Sequence, residues 1–271
     1  MPPESLQSVT PIVLNKTDER LVQKAIKTCK SRPIVEALEA LRDGRSVVPT
    51  VFPDIIGFLE QPSSLHLSPY KAVVILCRTL PPGSAEADRV CAILTDQYHT
   101  LNTNDALMGC LGPLLGLVAA LFLNSTSPGV ISQNLSPTYR VYLETLSILK
   151  SAQGAYLVAD LARTERHVRP TDLGAEALTA LPPLLERAAT CKPGDLPATH
   201  AVAFAKLVAF KPVPESTKLL ALNAVEAIGT SATAASLQGL DRKEISPTLT
   251  SELDRVIGVL MARSQLEQTA V

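Results

Sequence analysis

Residues 218–230 read KLLALNAVEAIGT, a run in which leucine, alanine, valine and isoleucine recur at helical spacing and a glycine follows the last apolar residue. Glycine is common just past a helix end, so the run predicts a helix over 215–228 that stops at Gly229. The whole chain has the same bias, with 41 leucines and 32 alanines in 271 residues, only 4% aromatic residues and no tryptophan. Because strands favour β-branched and aromatic residues, this composition predicts an all-α fold.

Serine–proline pairs and glycines divide the rest of the chain into further helices. Serine is a good N-cap and proline fits the first helical position, and both occur together at Ser68-Pro69, Ser136-Pro137 and Ser246-Pro247. Asn104, Thr171 and Asp195 are similar starts, whereas Gly44 and Gly154 resemble helix ends. The remaining predicted helices are 17–31, 33–43, 53–61, 69–80, 85–101, 104–123, 137–152, 155–168, 172–190 (broken or kinked at Pro182-Pro183), 196–210, 231–239 and 247–267.

The charge balance and the cysteines narrow the class of protein. Lys+Arg is 25 and Asp+Glu is 26, so the net charge of -1 gives no overall attraction to nucleic acid or to an anionic membrane. The five cysteines (Cys29, Cys77, Cys91, Cys110 and Cys191) form no CxxC pair and favour a reducing compartment. Residues 1–14 are polar and proline-rich, which predicts a flexible tail rather than a signal peptide. We therefore expect a cytoplasmic or nuclear protein.

Two weak internal matches suggest a duplication. The motif Ser68-Pro69-Tyr70-Lys71 returns as 136–140, SPTYR, and 112–115, GPLL, returns as 182–185, PPLL. The order and the spacing of the two matches agree, which favours copies over 68–135 and 136–205 inside one helical domain at 15–271.

These segments resemble a known family of repeats. Residues 218–230 resemble the second helix of a HEAT repeat, and 168–181, VRPTDLGAEALTAL, resemble it more loosely. Phe52–Leu59 and 113–115, PLL, look like first-helix segments. The resemblance implies a right-handed α-solenoid of stacked helical hairpins, HEAT- or armadillo-like. Frequent alanines from residue 170 onward suit close helix stacking. An irregular helical bundle is the alternative.

Residues 106–123, ALMGCLGPLLGLVAALFL, contain no charged side chain and reach the lower length limit of a transmembrane helix. No Lys or Arg lies between Arg89 and Arg140, so neither flank carries the positive cluster that orients membrane helices. We expect a buried core helix here, with membrane insertion as the alternative.

Two groups of cations are candidate partner-binding residues. Lys16, Arg20, Lys24 and Lys27 recur near helical spacing on the first helix, where Asp18 and Glu19 dilute their charge. The second group crowds a predicted helix end and consists of Arg163, Arg166, His167 and Arg169. Either group could bind an acidic partner, and either could be ordinary solvated surface.

Catalytic and metal-binding patterns are weak in this sequence. Ser147 and Lys150 match SxxK without its companion motifs, and the four histidines are widely spaced. We therefore predict no catalytic residues, no cofactor and no metal. The predicted function is a non-catalytic protein-interaction scaffold or adaptor, with a protein partner that could be acidic. A membrane-associated helical protein and a helical-repeat nucleic-acid binder remain alternatives, and an enzyme is fourth.

Overall fold

A computed structural model describes residues 14–45, 48–61, 68–100, 136–167, 172–243 and 245–269 of the chain. Within these ranges all regular structure is helical, which confirms the all-α prediction. The predicted tail at 1–14 falls almost wholly outside the described residues, as does the second half of the predicted 68–135 copy. The duplication and the domain limits stay predictions.

Twelve α-helices and two short 3₁₀ turns make up the described part of the chain. The 3₁₀ turns are Cys77–Thr79, directly after α4, and Ala152–Gly154, directly before α7. The α-helices are α1 (Lys16–Thr28), α2 (Arg32–Arg42), α3 (Val48–Leu59), α4 (Ser68–Leu76), α5 (85–100), α6 (Ser136–Leu149), α7 (Ala155–His167), α8 (Asp172–Ala188), α9 (Ala198–Ala209), α10 (Glu215–Ile228), α11 (Ser231–Gln238) and α12 (Pro247–Thr269).

Helix starts follow local capping chemistry. The Ser246 hydroxyl accepts the Leu249 N–H at 3.2 Å, so this serine caps α12 as predicted. Asp195 does not start α9, because its carboxylate accepts the Lys192 N–H at 2.7 Å and closes the preceding turn. The helix begins only after Pro197.

Helix ends differ more from the sequence prediction. Gly44 ends α2 with φ +71°, and bonds from Gly44 N–H to Leu41 O and from Arg45 N–H to Ala40 O form a Schellman motif. Gly229 ends α10 in an extended conformation instead. Gly154 ends no helix; it belongs to the 3₁₀ turn before α7, where an added Cβ would lie 2.6 Å from Leu146 Cδ2.

The prolines of α8 do not break the helix. Pro182 and Pro183 lie inside one continuous helix, which excludes a break, the first of the two predicted alternatives. Leu181, Leu184 and Leu185 on either side of them are fully buried, and this burial offsets the hydrogen bonds that the two prolines cannot donate.

Helix packing follows chain order. Every extensive contact among α1–α4 and α6–α12 joins helices no more than three places apart in the chain. The largest joins α7 to α8, and others link α1 to α4, α4 to α6, α8 to α10 and α10 to α12. One continuous apolar core runs through these contacts, and its largest fully buried side chains include Tyr70, Tyr98, Tyr142 and Phe204.

Candidate functional site: a basic stripe on the first helix

Four cations form a stripe along the exposed side of α1. Lys16, Arg20, Lys24 and Lys27 are all exposed, and at 100° per residue they fall within one narrow sector of the helix. The opposite side carries Asp18, Val22 and Ala25, which are buried. None of the four cations forms an ion pair with another described residue. We call these four residues the basic stripe.

The local sequence explains why α1 holds this position. The Asn15 side chain caps the helix by accepting the backbone N–H groups of Thr17 and Asp18, each at 2.9 Å. Asp18 was expected to dilute the positive charge of the stripe, and this expectation is wrong. Its carboxylate is buried and lies 2.8 Å from Arg78 Nη1, facing away from the cations.

Arg78 is a buried cation that sequence reasoning missed. Its guanidinium donates to Asp18 Oδ2, to Thr145 Oγ1 at 3.0 Å and to Glu144 Oε2 at 2.9 Å, so it joins α1 to α6. The signal available in the sequence is a single arginine directly after the apolar run 72–77, AVVILC. A cation in that place needs a buried partner, although the sequence does not say which carboxylate supplies it.

A second buried polar cluster lies deeper in the core. The Tyr142 hydroxyl donates to the Tyr70 hydroxyl at 3.0 Å, Tyr70 donates to Gln97 Oε1, and Gln97 Nε2 donates to the Leu59 carbonyl. These bonds tie α3, α4, α5 and α6 together. Burial raises the pKa of both tyrosines, so they stay protonated as hydrogen-bond donors.

A shallow cavity of about 580 Å³ borders the basic stripe. Lys16, Arg20 and Gln23 line it from α1, and Arg42 lines it from the end of α2. Arg42 also pairs with Asp43 at 3.2 Å, and Glu19 lies on the cavity wall. The cavity therefore extends the positive surface of α1 onto α2, with one carboxylate at its edge.

The second predicted group of cations is only partly described. The Arg163 guanidinium is paired with Asp160 at 3.0 Å, and Asp160 also accepts the Tyr98 hydroxyl at 2.8 Å. Arg163 is thus part of a local polar network. Arg169 lies outside the described residues, and Arg166 and His167 are described as helical backbone only. No extensive contact joins α7, which carries Arg163, to α1.

Ser147 and His200, two of the residues weighed for catalysis, have ordinary hydrogen-bond partners. The Ser147 hydroxyl donates to the Leu143 carbonyl at 2.7 Å, as expected within a helix. His99 stacks on Tyr156 with ring centroids 4.4 Å apart, and His200 Nε2 donates to the Gln153 carbonyl at 3.1 Å. Burial lowers the pKa of His200 and raises the pKa of the Cys77 thiol to about 12. The described His, Cys, Asp and Glu side chains form no cluster of three that could hold a metal ion.

The apolar segment 106–123 lies outside the described residues, so its burial or membrane insertion stays a prediction. Among the described helices, none combines the length and the hydropathy needed to span a bilayer.

The comparisons with known proteins give no match: no protein-family model, no curated protein and no solved structure is similar to this chain. The resemblance of 218–230 to HEAT repeats therefore stays a prediction.

Proposed function

We propose that the protein is a non-catalytic interaction scaffold that binds an acidic protein partner through the basic stripe on α1. One observation carries the proposal. Four exposed cations share one sector of α1, and Arg20 among them is unpaired, whereas nine of the twelve arginines with described side chains pair with a carboxylate. The four cations of the stripe pair with none among the described residues, although the chain as a whole is charge-balanced.

The position of the stripe supports a binding role. Its side chains project from a helix that is capped by Asn15 and anchored by the Asp18–Arg78 ion pair. A rigid row of like charges attracts an acidic surface over a distance and orients it during the encounter. Because the cavity beside Arg20 and Arg42 continues the positive surface, a partner can contact both α1 and α2.

We also propose that the helices form an α-solenoid. The order of the contacts supports this arrangement, since stacked repeats bury their apolar faces against neighbours in the chain. In such an array the exposed side of α1 would be available to a partner subunit.

A charge-reversal experiment tests the binding role. Arg20→Glu/Lys24→Glu reverses the centre of the stripe, and Lys192→Glu/Lys206→Glu makes the same charge change at exposed positions on and beside α9. Proteins that co-purify with the tagged wild type after nuclease treatment are identified by mass spectrometry. The affinity of each purified candidate is then measured at about 50 mM and about 300 mM salt, on either side of physiological screening.

The proposal predicts a partner with an acidic surface whose affinity drops at least about tenfold in the stripe variant at low salt, mainly through a slower on-rate. The control variant should bind like the wild type. Equal binding by both variants would show that the stripe is ordinary solvated surface. Association that nuclease abolishes, or that appears only with anionic vesicles, would replace a protein partner by nucleic acid or by a membrane.

A further inference from the structure

A second cationic cleft lies where the turn at 81–84 meets the ends of α6 and α8. It has a volume of about 410 Å³, and its walls include Gly83 from the turn, Lys150 just after α6, and Pro183, Glu186 and Arg187 from α8. Lys150 and Arg187 are both exposed. They lie 37 positions apart in the chain, so no sequence motif joins them.

The Arg187 side chain is held over the turn. Gly83 N–H donates to Leu149 O at 3.0 Å, which fixes the turn against the end of α6. Gly83 also has φ +71°, and a Cβ added there would lie 2.8 Å from Arg187 Nη2. Glycine thus serves both the conformation of the turn and the close approach of the guanidinium.

Lys150 has a left-handed backbone conformation. Its φ is +50°, the only positive value at a non-glycine residue in the described chain, in a region that favours glycine or asparagine. Its N–H donates to Leu146 O at 3.0 Å, and the next residue, Ser151, donates its hydroxyl to Asp88 at 2.6 Å. Lys150 follows α6 directly, so this conformation is an ordinary helix C-terminus, at a small cost for a residue other than glycine.

The two cations have no counter-ion in the described protein. Neither side chain forms an ion pair with a described carboxylate, and Glu186, the carboxylate in the cleft wall, pairs with neither. With Glu186 included, the three charged groups of the cleft leave one net positive charge. Both cations are unpaired and are therefore available to an added anion.

We propose that Lys150 and Arg187 form a binding site for a phosphate monoester. A guanidinium fork and an ammonium group are the usual protein ligands of phosphate. A phosphate can accept from the guanidinium and the ammonium at the same time, and its two negative charges attract each cation more strongly than the single charge of a carboxylate does. The phosphate comes from a small phosphorylated molecule or from a phosphorylated side chain of a partner. The site shares no residue with the basic stripe, so a result that contradicts one proposal leaves the other unaffected.

NMR titration of ¹⁵N-labelled full-length protein tests the site. The probes are inorganic phosphate, O-phosphoserine, and a phosphoserine peptide with its unphosphorylated form. The signals to follow are the amides of Gly83 and Thr190 and the Arg187 Nε–H. The variants are Lys150→Gly, which removes the charge and suits φ +50°, and Arg187→Gln. Lys192→Gln is the control, because it removes an equally exposed charge outside the cleft.

If the site binds phosphate, the chemical shifts of these signals change with added phosphate and reach saturation. We expect both site variants to bind at least about tenfold more weakly, and Lys192→Gln to bind within about twofold of the wild type. Tighter binding of the phosphopeptide than of O-phosphoserine assigns the phosphate to a partner protein, and the reverse assigns it to a small molecule. Shifts that do not saturate, or an equal loss in all three variants, would overturn the site. Since Lys150→Gly relieves strain, a folding defect cannot account for its loss of binding.

Discussion

The guanidinium of Arg78 lies 2.8 Å from the carboxylate of Asp18, and each side chain is only 5% exposed. The two residues are 60 positions apart and join α1 to the 3₁₀ turn that follows α4. Glu144 of α6, at 2.9 Å from the guanidinium, completes a network that links three parts of the chain.

Replacing one partner of this ion pair should lower the stability of the protein. Asp18→Asn leaves Arg78 with the partly exposed Glu144 as its counter-ion, and we expect the free energy of unfolding to fall by about 1–3 kcal/mol. Urea denaturation followed by circular dichroism measures the change. Glu36→Gln removes the partner of Arg32 in an exposed pair and should cost less than about 0.5 kcal/mol. Similar losses in the two variants would contradict the structural role of Arg78.

Replacing two glycines by alanine should change the stability of the protein in opposite directions. A Cβ on Gly229 would lie 2.4 Å from Val225 O, so Gly229→Ala must shift the end of α10 and should destabilise the protein by about 1–3 kcal/mol. Gly258 lies exposed within α12 with no atom near its Cβ position, so Gly258→Ala should stabilise by up to about 1 kcal/mol. Thermal unfolding of both variants checks the opposite signs; a stable Gly229→Ala would mean that α10 ends differently.

His200 should make the protein less stable in mild acid. Burial lowers its pKa below the ordinary 6.5, against the opposing effect of its bond to the Gln153 carbonyl. The unfolded chain therefore binds a proton more readily than the folded one, and stability is lost as the pH falls below about 6.5, by at most about 1.4 kcal/mol per pH unit. Urea denaturation between pH 7.5 and pH 5 measures the loss. His200→Gln should show a shallower decline, and parallel curves for the two proteins would refute this role.

The proposed solenoid has a measurable size. A compact chain of 271 residues should have a radius of gyration of about 18–19 Å, and an extended array should exceed about 21 Å. Small-angle X-ray scattering at a confirmed monomer mass distinguishes them. A value near 18 Å would favour the irregular bundle.

Local signals allowed much of the helical structure to be predicted. The helix at 215–228 has the predicted bounds, and α12 starts at the predicted Ser246-Pro247 pair. Both depend on residues close in the sequence, namely apolar spacing and capping side chains. The basic stripe was predictable for the same reason, since four cations at helical spacing share one side of any helix.

Features that depend on tertiary contacts were not predictable in the same way. Asp18 looked like part of a charged surface, but a partner 60 residues away buries it. The sequence around Pro182 predicted a break or a kink, and the helix continues through both prolines without a break. Lys150 and Arg187 belong to different helix ends, and the packing of α6 against α8 and of the turn at Gly83 brings them to one cleft. The spacing of residues along one helix does not show which residues of different helices lie close together.

The neighbour-by-neighbour packing has a consequence for synthesis on the ribosome. Because each helix among α1–α4 and α6–α12 makes its extensive contacts within three places in chain order, nascent helices can pack before the rest of the chain emerges. Arg78 must wait for partners that lie 66 and 67 positions further along the chain. Its bonds to Thr145 and Glu144 cannot form until the ribosome has released α6. The ion-pair network around Asp18 is therefore completed only after α1 to α4 have been synthesised.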